Sequence, residues 1–233
     1  MPINIPFLNV FNEPMVLVAR ILVAAFIIPF HELAHGWMAN KLGDPTAKWM
    51  GRLTLNPLKH LDPIGSVLMI LTGFGWAKPV PINPRNFKNE RKGMAITAAA
   101  GPIANLLIAV AFLILYKITY YAIAIPMGGV PADGFFAILL NVLFNVTWVN
   151  IGLAVFNLIP FPPLDGFRII GLLLPERIYY QITRYEQYLL YGFMALIMFT
   201  SVLDGPLSWC MSRVYWLLDI ITRFIDLIGG LLL

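Results

Sequence analysis

Residues 16–35 read VLVARILVAAFIIPFHELAH, an apolar run that ends in two histidines and a glutamate. A helix needs about 20 mostly apolar residues to cross a bilayer, and this run has that length and character. Residues four apart share one face of a helix, so His31 and His35 can direct their imidazole nitrogens at one point. Glu32 follows one residue round the helix, within reach of a water molecule held there. Two imidazoles beside a carboxylate are typical of zinc-dependent hydrolytic chemistry.

The composition of the whole chain is also that of a membrane protein. Of its 233 residues, 59% are hydrophobic and only 12% are charged, whereas soluble domains carry about 25% charge. We therefore expect an all-α polytopic membrane protein. The net charge is only +4 and no long basic stripe is present, which argues against a nucleic-acid partner. The single cysteine, Cys210, excludes an intrachain disulfide.

Apolar segments of spanning length recur along the chain, and about four to six transmembrane helices are expected. The predicted spans run from about Pro14 to Asn40, Gly93 to Tyr116, Phe135 to Leu158 and Tyr188 to Leu203.

The last apolar segment, Leu207 to Leu233, is ambiguous because it carries charge. Asp219, Arg223 and Asp226 fall within one helical arc. The segment is either a fifth span with a protein-facing side or a helix that lies in the membrane interface.

The connection between the first two spans is expected to be structured. Ile64–Trp76 is apolar but too short to cross, which predicts a re-entrant or surface-lying element. Thr46–Leu55 is predicted as a short β-hairpin, with an ordinary loop as the alternative. Lys78–Ile82 is a candidate edge strand, since prolines are tolerated there.

Basic residues are concentrated in this same connection and give an orientation. Nine of the 16 fall within residues 41–92, while residues 117–134 contain only Lys117. The positive-inside rule then places 41–92 in the cytoplasm and 117–134 outside.

A catalytic zinc site needs a third protein ligand, and the chain has few candidates. Beyond His31 and His35 the only histidine is His60, which we interpret as a hydrogen-bonded loop residue, with a fourth ligand or a gating role as the alternative. Asp165 stands out in Asn157–Gly166, NLIPFPPLDG. A carboxylate among apolar residues at membrane depth needs a strong partner, and a zinc ion would be one. The prolines forbid a regular helix there, leaving carbonyl groups and Asn157 available to a substrate backbone.

HELAHG at 31–36 together with NLIPFPPLDG resembles the site-2 protease family of intramembrane metalloproteases, peptidase family M50, in its short form without a PDZ or CBS domain. The segments 51–65 and 101–105 (GPIAN) also resemble this family, and the likeness covers about residues 14–175. It implies one Zn²⁺ per chain held by His31, His35 and Asp165, with Glu32 as the catalytic base. It further implies that Asn157, together with Asn105, contacts the substrate or the oxyanion.

The resulting hypothesis is an intramembrane zinc endopeptidase that cuts within or near a transmembrane segment of a membrane-protein substrate. We expect a single domain over residues 1–233, with a catalytic core at about 14–175 and C-terminal helices at about 176–233. We also expect a multi-pass protein of a prokaryotic cell membrane, with its site toward the cytoplasm and a regulatory membrane partner. A sheet edge that takes up the substrate as an added strand would expose its peptide bonds. The alternative is a non-enzymatic membrane metal-binding protein or metal transporter, which would show ionisable residues on several spans.

Overall fold

The computed structural model describes residues 21–72, 75–129 and 134–231, and the described residues are mostly helical with no strand. Nine α-helices follow one another in this part of the chain. They are α1 (Ile28–Lys41), α2 (Thr46–Trp49), α3 (Pro63–Thr72), α4 (Glu90–Thr119), α5 (Phe135–Asn157), α6 (Asp165–Ile170), α7 (Glu176–Arg184), α8 (Glu186–Phe199) and α9 (Asp204–Leu231). A π-helical turn, Val23–Ile27, leads into α1, and another, Tyr120–Ala124, continues α4.

The predicted spans are reproduced to different extents. Glu90–Ile123 and Phe135–Asn157 are long and apolar enough to cross a membrane, which agrees with the second and third predicted segments. The first segment is helical from residue 21, and its part before that residue lies outside the described residues. The fourth is the 14-residue helix α8, about 21 Å long, which is shorter than a hydrocarbon core of about 30 Å. The last segment is one continuous helix, α9.

The β-hairpin predicted for Thr46–Leu55 is wrong. Thr46–Trp49 form one turn of helix, α2, and turns follow it. The physical reason lies just before the segment, where the Asp44 carboxylate accepts hydrogen bonds from the backbone N–H (3.1 Å) and the hydroxyl of Thr46. Such a side-chain acceptor turns the backbone into a helical start instead of an extended strand. Near the candidate edge strand, the described residues contain only one isolated antiparallel bridge, between Leu61 and Ala77.

The chain divides into two compact units. The first holds the described residues up to Ala104 together with Arg168–Leu174. In it, the loops after α1 pack on that helix at Gly36, where an added Cβ would lie 2.7 Å from Leu53 and 3.0 Å from Val80. The absence of a side chain at this position therefore lets the loops that flank the site lie close to the helix that carries it.

The second unit holds Asn105–Phe167 and the described residues from Pro175 onward. Its core is formed by α4, α5 and α9, with Ala109, Leu113, Ile151 and Leu218 fully or almost fully buried. α9 packs along α5. Asn141, Asn145 and Asn150 on α5 each donate a hydrogen bond to the carbonyl four residues earlier on the same helix, so these polar amides satisfy part of their hydrogen-bonding capacity within α5.

Candidate metal centre

His31 and His35 lie one turn apart on α1, and both rings are buried. Their Nε2 atoms are 3.0 Å apart, and the rings meet edge to face at 88°. Helical spacing alone would bring the two side chains onto one face. The structure adds that both Nε2 atoms converge on one point, which is the arrangement that two imidazole ligands of one metal ion require.

The second nitrogen of His35 is held by the backbone of α4. Its Nδ1 lies 2.8 Å from the carbonyl oxygen of Thr97. Because a carbonyl can only accept, Nδ1 carries the proton and Nε2 keeps its lone pair for a metal. Thr97 was not among the predicted site residues, and the sequence gives no signal for it because the contact is made by a main-chain oxygen.

Gly101 brings the backbone of α4 against the two histidines. A Cβ at this position would lie 2.4 Å from His35 Nε2 and 2.5 Å from His31 Cε1, distances that real Cβ atoms do not reach. Only glycine therefore fits beside the converging nitrogens. The sequence shows Gly101 in the GPIAN segment, but the need for glycine becomes visible only with the distance.

Glu32 is half-buried, and its Oε2 accepts a 2.8 Å hydrogen bond from the backbone N–H of Val80. Pro79 and Pro81 flank Val80 and have no N–H to donate. The only main-chain donor of this tripeptide is therefore used to hold the glutamate. The Pro-Val-Pro pattern could have indicated Val80, since an N–H between two prolines is easily committed to one acceptor.

His60 belongs to the framework of the loop that carries Val80. Its buried ring places Nε2 2.8 Å from the carbonyl oxygen of Thr54, and its own carbonyl accepts from Lys78 N–H. The Arg52 guanidinium donates to the carbonyl of Lys78 at 2.7 Å. His60 thus has the hydrogen-bonded loop position expected from the sequence.

In the second unit, Asp165 is the first residue of α6 and is half-buried. The chain between α5 and α6 is not helical, as the prolines predict, and it contains a cis Pro162–Pro163 peptide bond. It folds back so tightly that a Cβ on Gly166 would lie 2.2 Å from the carbonyl oxygen of Leu158. Glycine after Asp165 therefore permits the tight turn that leads into the start of α6.

The three ligands that the resemblance implies are divided between the two units, with His31 and His35 in the first and Asp165 in the second. Two imidazoles and a carboxylate suit zinc, and they leave one position of a tetrahedral site for water or substrate. The chemistry of this donor set fits such an ion.

The two asparagines predicted to contact substrate are placed differently. Asn157 ends α5 and donates from Nδ2 to the carbonyl of Leu153 on its own helix at 2.9 Å. Asn105 is fully buried on α4. Their roles toward substrate or oxyanion stay predictions.

Comparison with known proteins identifies the family. The family model described as "Peptidase family M50" matches residues 121–200, which include the Asn157–Gly166 motif. A Bacillus subtilis protein named "Putative zinc metalloprotease YwhC" is 42% identical over 196 residues, which are 82% of this chain and 84% of that protein. The chain belongs to peptidase family M50, the site-2 protease family.

More distant relatives align over a similar length. "Putative zinc metalloprotease Rip2" of Mycolicibacterium smegmatis is 28% identical, with 81% of this chain and 68% of that protein covered. Rip2 of Mycobacterium tuberculosis H37Rv is 24% identical, with coverages of 82% and 69%. No solved structure matches the chain. M50 membership and these names support a metalloprotease, and together with the two long apolar helices they indicate a membrane protein.

Proposed function

We propose that this M50 member is a zinc-dependent intramembrane endopeptidase that cuts a peptide bond within or near a transmembrane segment of another membrane protein. The observation that carries the proposal is the convergence of His31 and His35 Nε2 at 3.0 Å, with Glu32 on the next residue. His31, His35 and Asp165 are proposed to hold a single zinc ion, as the family resemblance implies. Zinc, when bound, lowers the pKa of water and polarises a substrate carbonyl.

The residues of the chain supply the rest of the chemistry. Glu32 takes a proton from the attacking water and delivers it to the leaving amine, which makes it both general base and general acid. The Thr97 carbonyl fixes the tautomer of His35, and Val80 N–H orients the Glu32 carboxylate. Asn157 and Asn105 are proposed to hold the substrate backbone or its developing oxyanion.

The backbone N–H groups of segment 78–81 limit how an extended substrate could form hydrogen bonds beside Glu32. Lys78 N–H donates to the backbone carbonyl of His60, and Val80 N–H donates to the carboxylate of Glu32. The two prolines have no N–H. A substrate strand can therefore bind this segment only by donating its own N–H groups to the segment's carbonyls. Strand addition of this kind would extend a helical substrate and expose its peptide bond.

The proposed setting is a multi-pass protein of a prokaryotic cell membrane, with the site toward the cytoplasm and access controlled by a membrane partner. The concentration of basic residues in 41–92 supports that orientation. A metal transporter would need ligand-type residues in series along a path. The described residues show a pair of converging histidines with a base, Glu32, beside it, and no observation on them favours transport.

The decisive experiment compares the wild-type protein with Glu32→Gln in membranes of the native host. Metal analysis of both purified proteins is expected to give one zinc per chain. Crosslinking followed by mass spectrometry is expected to recover intact membrane proteins from Glu32→Gln that the wild type yields only as fragments. Wild-type protein without stoichiometric zinc, or full cleavage by Glu32→Gln, would refute the proposal.

A further inference from the structure

Inside the second unit, α9 runs antiparallel to α5. The Tyr215 ring lies 5.8 Å from the Trp148 ring, and Met211, nearer the start of α9, packs at Gly152, further along α5. Arg213 falls between Met211 and Tyr215 in the chain. Because α5 is long and apolar enough to cross a membrane, these contacts place Arg213 beside the interior of a candidate span.

The later part of α9 lies beside a second candidate span. Asp219 and Asp226 on α9 contact the Nζ of Lys117 at 2.8 and 2.5 Å, and Lys117 lies within the candidate span Glu90–Ile123. Arg223 falls between the two aspartates on α9. It therefore lies, like Arg213, within the length of the candidate spans.

Both arginines are exposed, and among the described residues no carboxylate pairs with either of them. The Arg213 guanidinium lies over the Trp209 ring at 5.5 Å, a contact that leaves its full charge uncompensated. Charged side chains at membrane depth are costly, and they normally face protein and pair there with an opposite charge. Arg213 and Arg223 thus lack the partners that their position requires.

The two arginines belong to a stripe along most of α9. Its members are spaced alternately four and three residues apart, the spacing by which one helix lies along another. Leu218 and Ile225, on the opposite face, are buried, so the stripe points away from the core of the unit. The α9 stripe consists of exposed residues only, namely Trp209, Arg213, Trp216, Ile220, Arg223 and Leu227.

Charge decides which occupant fits the α9 stripe. Copies of a membrane protein share one orientation, so a symmetric pair of α9 helices would set Arg213 against Arg213 and Arg223 against Arg223, and like charges repel. Lipid phosphates lie outside the hydrocarbon core, whereas Arg213 lies level with the interior of α5. A helix with carboxylates complements both guanidinium groups, since arginine binds a carboxylate through two parallel hydrogen bonds.

We propose that the α9 stripe binds a transmembrane helix of another protein that carries two carboxylates about ten residues apart. The spacing follows from the two arginines, which lie about 15 Å apart along the helix axis. The inference rests on the membrane setting and not on the cleavage chemistry, so neither zinc nor Glu32 enters its test.

The test uses the full-length protein in phosphatidylcholine vesicles with a synthetic transmembrane peptide of leucine and alanine that carries a dansyl group and two glutamates ten residues apart. Energy transfer from the tryptophans of the protein to dansyl reports association, and the same peptide with two glutamines is the reference. In mildly alkaline buffer the glutamate peptide is expected to associate more tightly. Arg213→Gln and Arg223→Gln are each expected to weaken this preference about threefold to tenfold, the scale of one polar contact between membrane helices.

Arg184→Gln is the matched control, since it removes the same charge from an exposed position on α7. It is expected to keep the wild-type preference. The double variant Arg213→Glu/Arg223→Glu is expected to prefer a peptide with two lysines, which a misfolded protein would not do.

The proposal is overturned if both peptides associate equally with the wild type, or if Arg184→Gln acts as strongly as Arg213→Gln. Loss of the preference on adding a small fraction of phosphatidylglycerol would overturn it by assigning the arginines to lipid phosphates. Self-association of the protein that weakens in Arg213→Gln would overturn it by assigning the α9 stripe to a second copy.

Discussion

Glu32 follows the candidate metal ligand His31 in the chain, and its carboxylate accepts a 2.8 Å hydrogen bond from Val80 N–H. Glutamine keeps the size and one carbonyl acceptor of the side chain but cannot take a proton. We expect Glu32→Gln to bind zinc like the wild type while cleavage falls by about 10²–10⁴-fold, the range of general acid–base catalysis. Metal analysis and cleavage of a substrate found by trapping measure the two effects separately. Equal loss of zinc and of activity would instead assign Glu32 to metal binding.

Gly101 offers a second test at a single position. In Gly101→Ala the new methyl would lie 2.4 Å from His35 Nε2, so the histidines or α4 must move apart. We expect zinc affinity to fall by about tenfold or more, as for other changes beside a metal ligand. Competition with a chromogenic chelator measures the affinity. Gly192→Ala is the control, because nothing lies within 4 Å of its added Cβ, and unchanged affinity in Gly101→Ala would contradict the close approach.

Residue roles were predictable where sequence spacing determines geometry. His31 and His35 could be paired because a helix repeats its face every four residues. Thr97 could not be found in the same way, because it acts through a main-chain oxygen that any residue type provides. Val80 also acts through the main chain, and only its two flanking prolines could have indicated it. The need for glycine at 101 depends on a distance between two helices, which a sequence does not contain.

The junction between α1 and α2 is secured by Asp44, a fully buried carboxylate. It accepts hydrogen bonds from Thr46, from Asn83 N–H at 2.7 Å and from Asn86 Nδ2 at 2.7 Å. Burial raises the pKa of Asp44, but these hydrogen bonds outweigh it and hold the pKa below the ordinary value of 3.8. The carboxylate therefore stabilises the fold fully above pH 3.8, and this contribution is lost as the pH falls through the lower folded-state pKa.

We expect Asp44→Asn to lower the free energy of unfolding at neutral pH by about 1–3 kcal/mol, because one acceptor oxygen is replaced by a donor. The difference between wild type and variant should shrink as the pH falls below 3.8. Thermal unfolding in detergent across this pH range measures both effects. A difference that stays constant with pH would show that the charge of Asp44 is not involved.

The Lys117 contacts with Asp219 and Asp226 join α4 to α9. Lys117→Met leaves two aspartates near each other without their cation, and we expect it to destabilise the protein by about 1–3 kcal/mol, less than for a fully buried pair. Thermal unfolding in detergent measures the loss. Neutralising both aspartates in the Lys117→Met background should restore much of the stability. If stability does not recover, the loss in Lys117→Met does not come from the two aspartates left without a cation.

Helices were predicted correctly from the sequence where a segment is apolar throughout, as in α4 and α5. The charged final segment was ambiguous because its partner, Lys117, lies 102 residues before Asp219, and no local pattern reveals such a pairing. The β-hairpin prediction failed because the hydrogen bonds of Asp44 to Thr46 override the extended tendency of Thr46–Leu55.

The orientation of the whole protein in the membrane stays a prediction from its basic residues. In a Cys210→Ser background, Lys88→Cys should react with a membrane-impermeant maleimide only after the cells are opened. Met127→Cys, at an exposed position after the second predicted span, should react in intact cells, because the positive-inside rule places that region outside. The reverse labelling pattern would invert the topology and move the candidate centre to the other side.

The closeness of Gly101 to the histidine pair also bears on inhibitor design. The backbone of α4 covers one side of the two imidazoles at a separation that leaves no room for even a methyl group. A hydroxamate or other chelating warhead would have to enter from a direction that α4 does not block. Compounds built outward from such a warhead should therefore gain selectivity from groups that contact the Pro-Val-Pro loop beside Glu32.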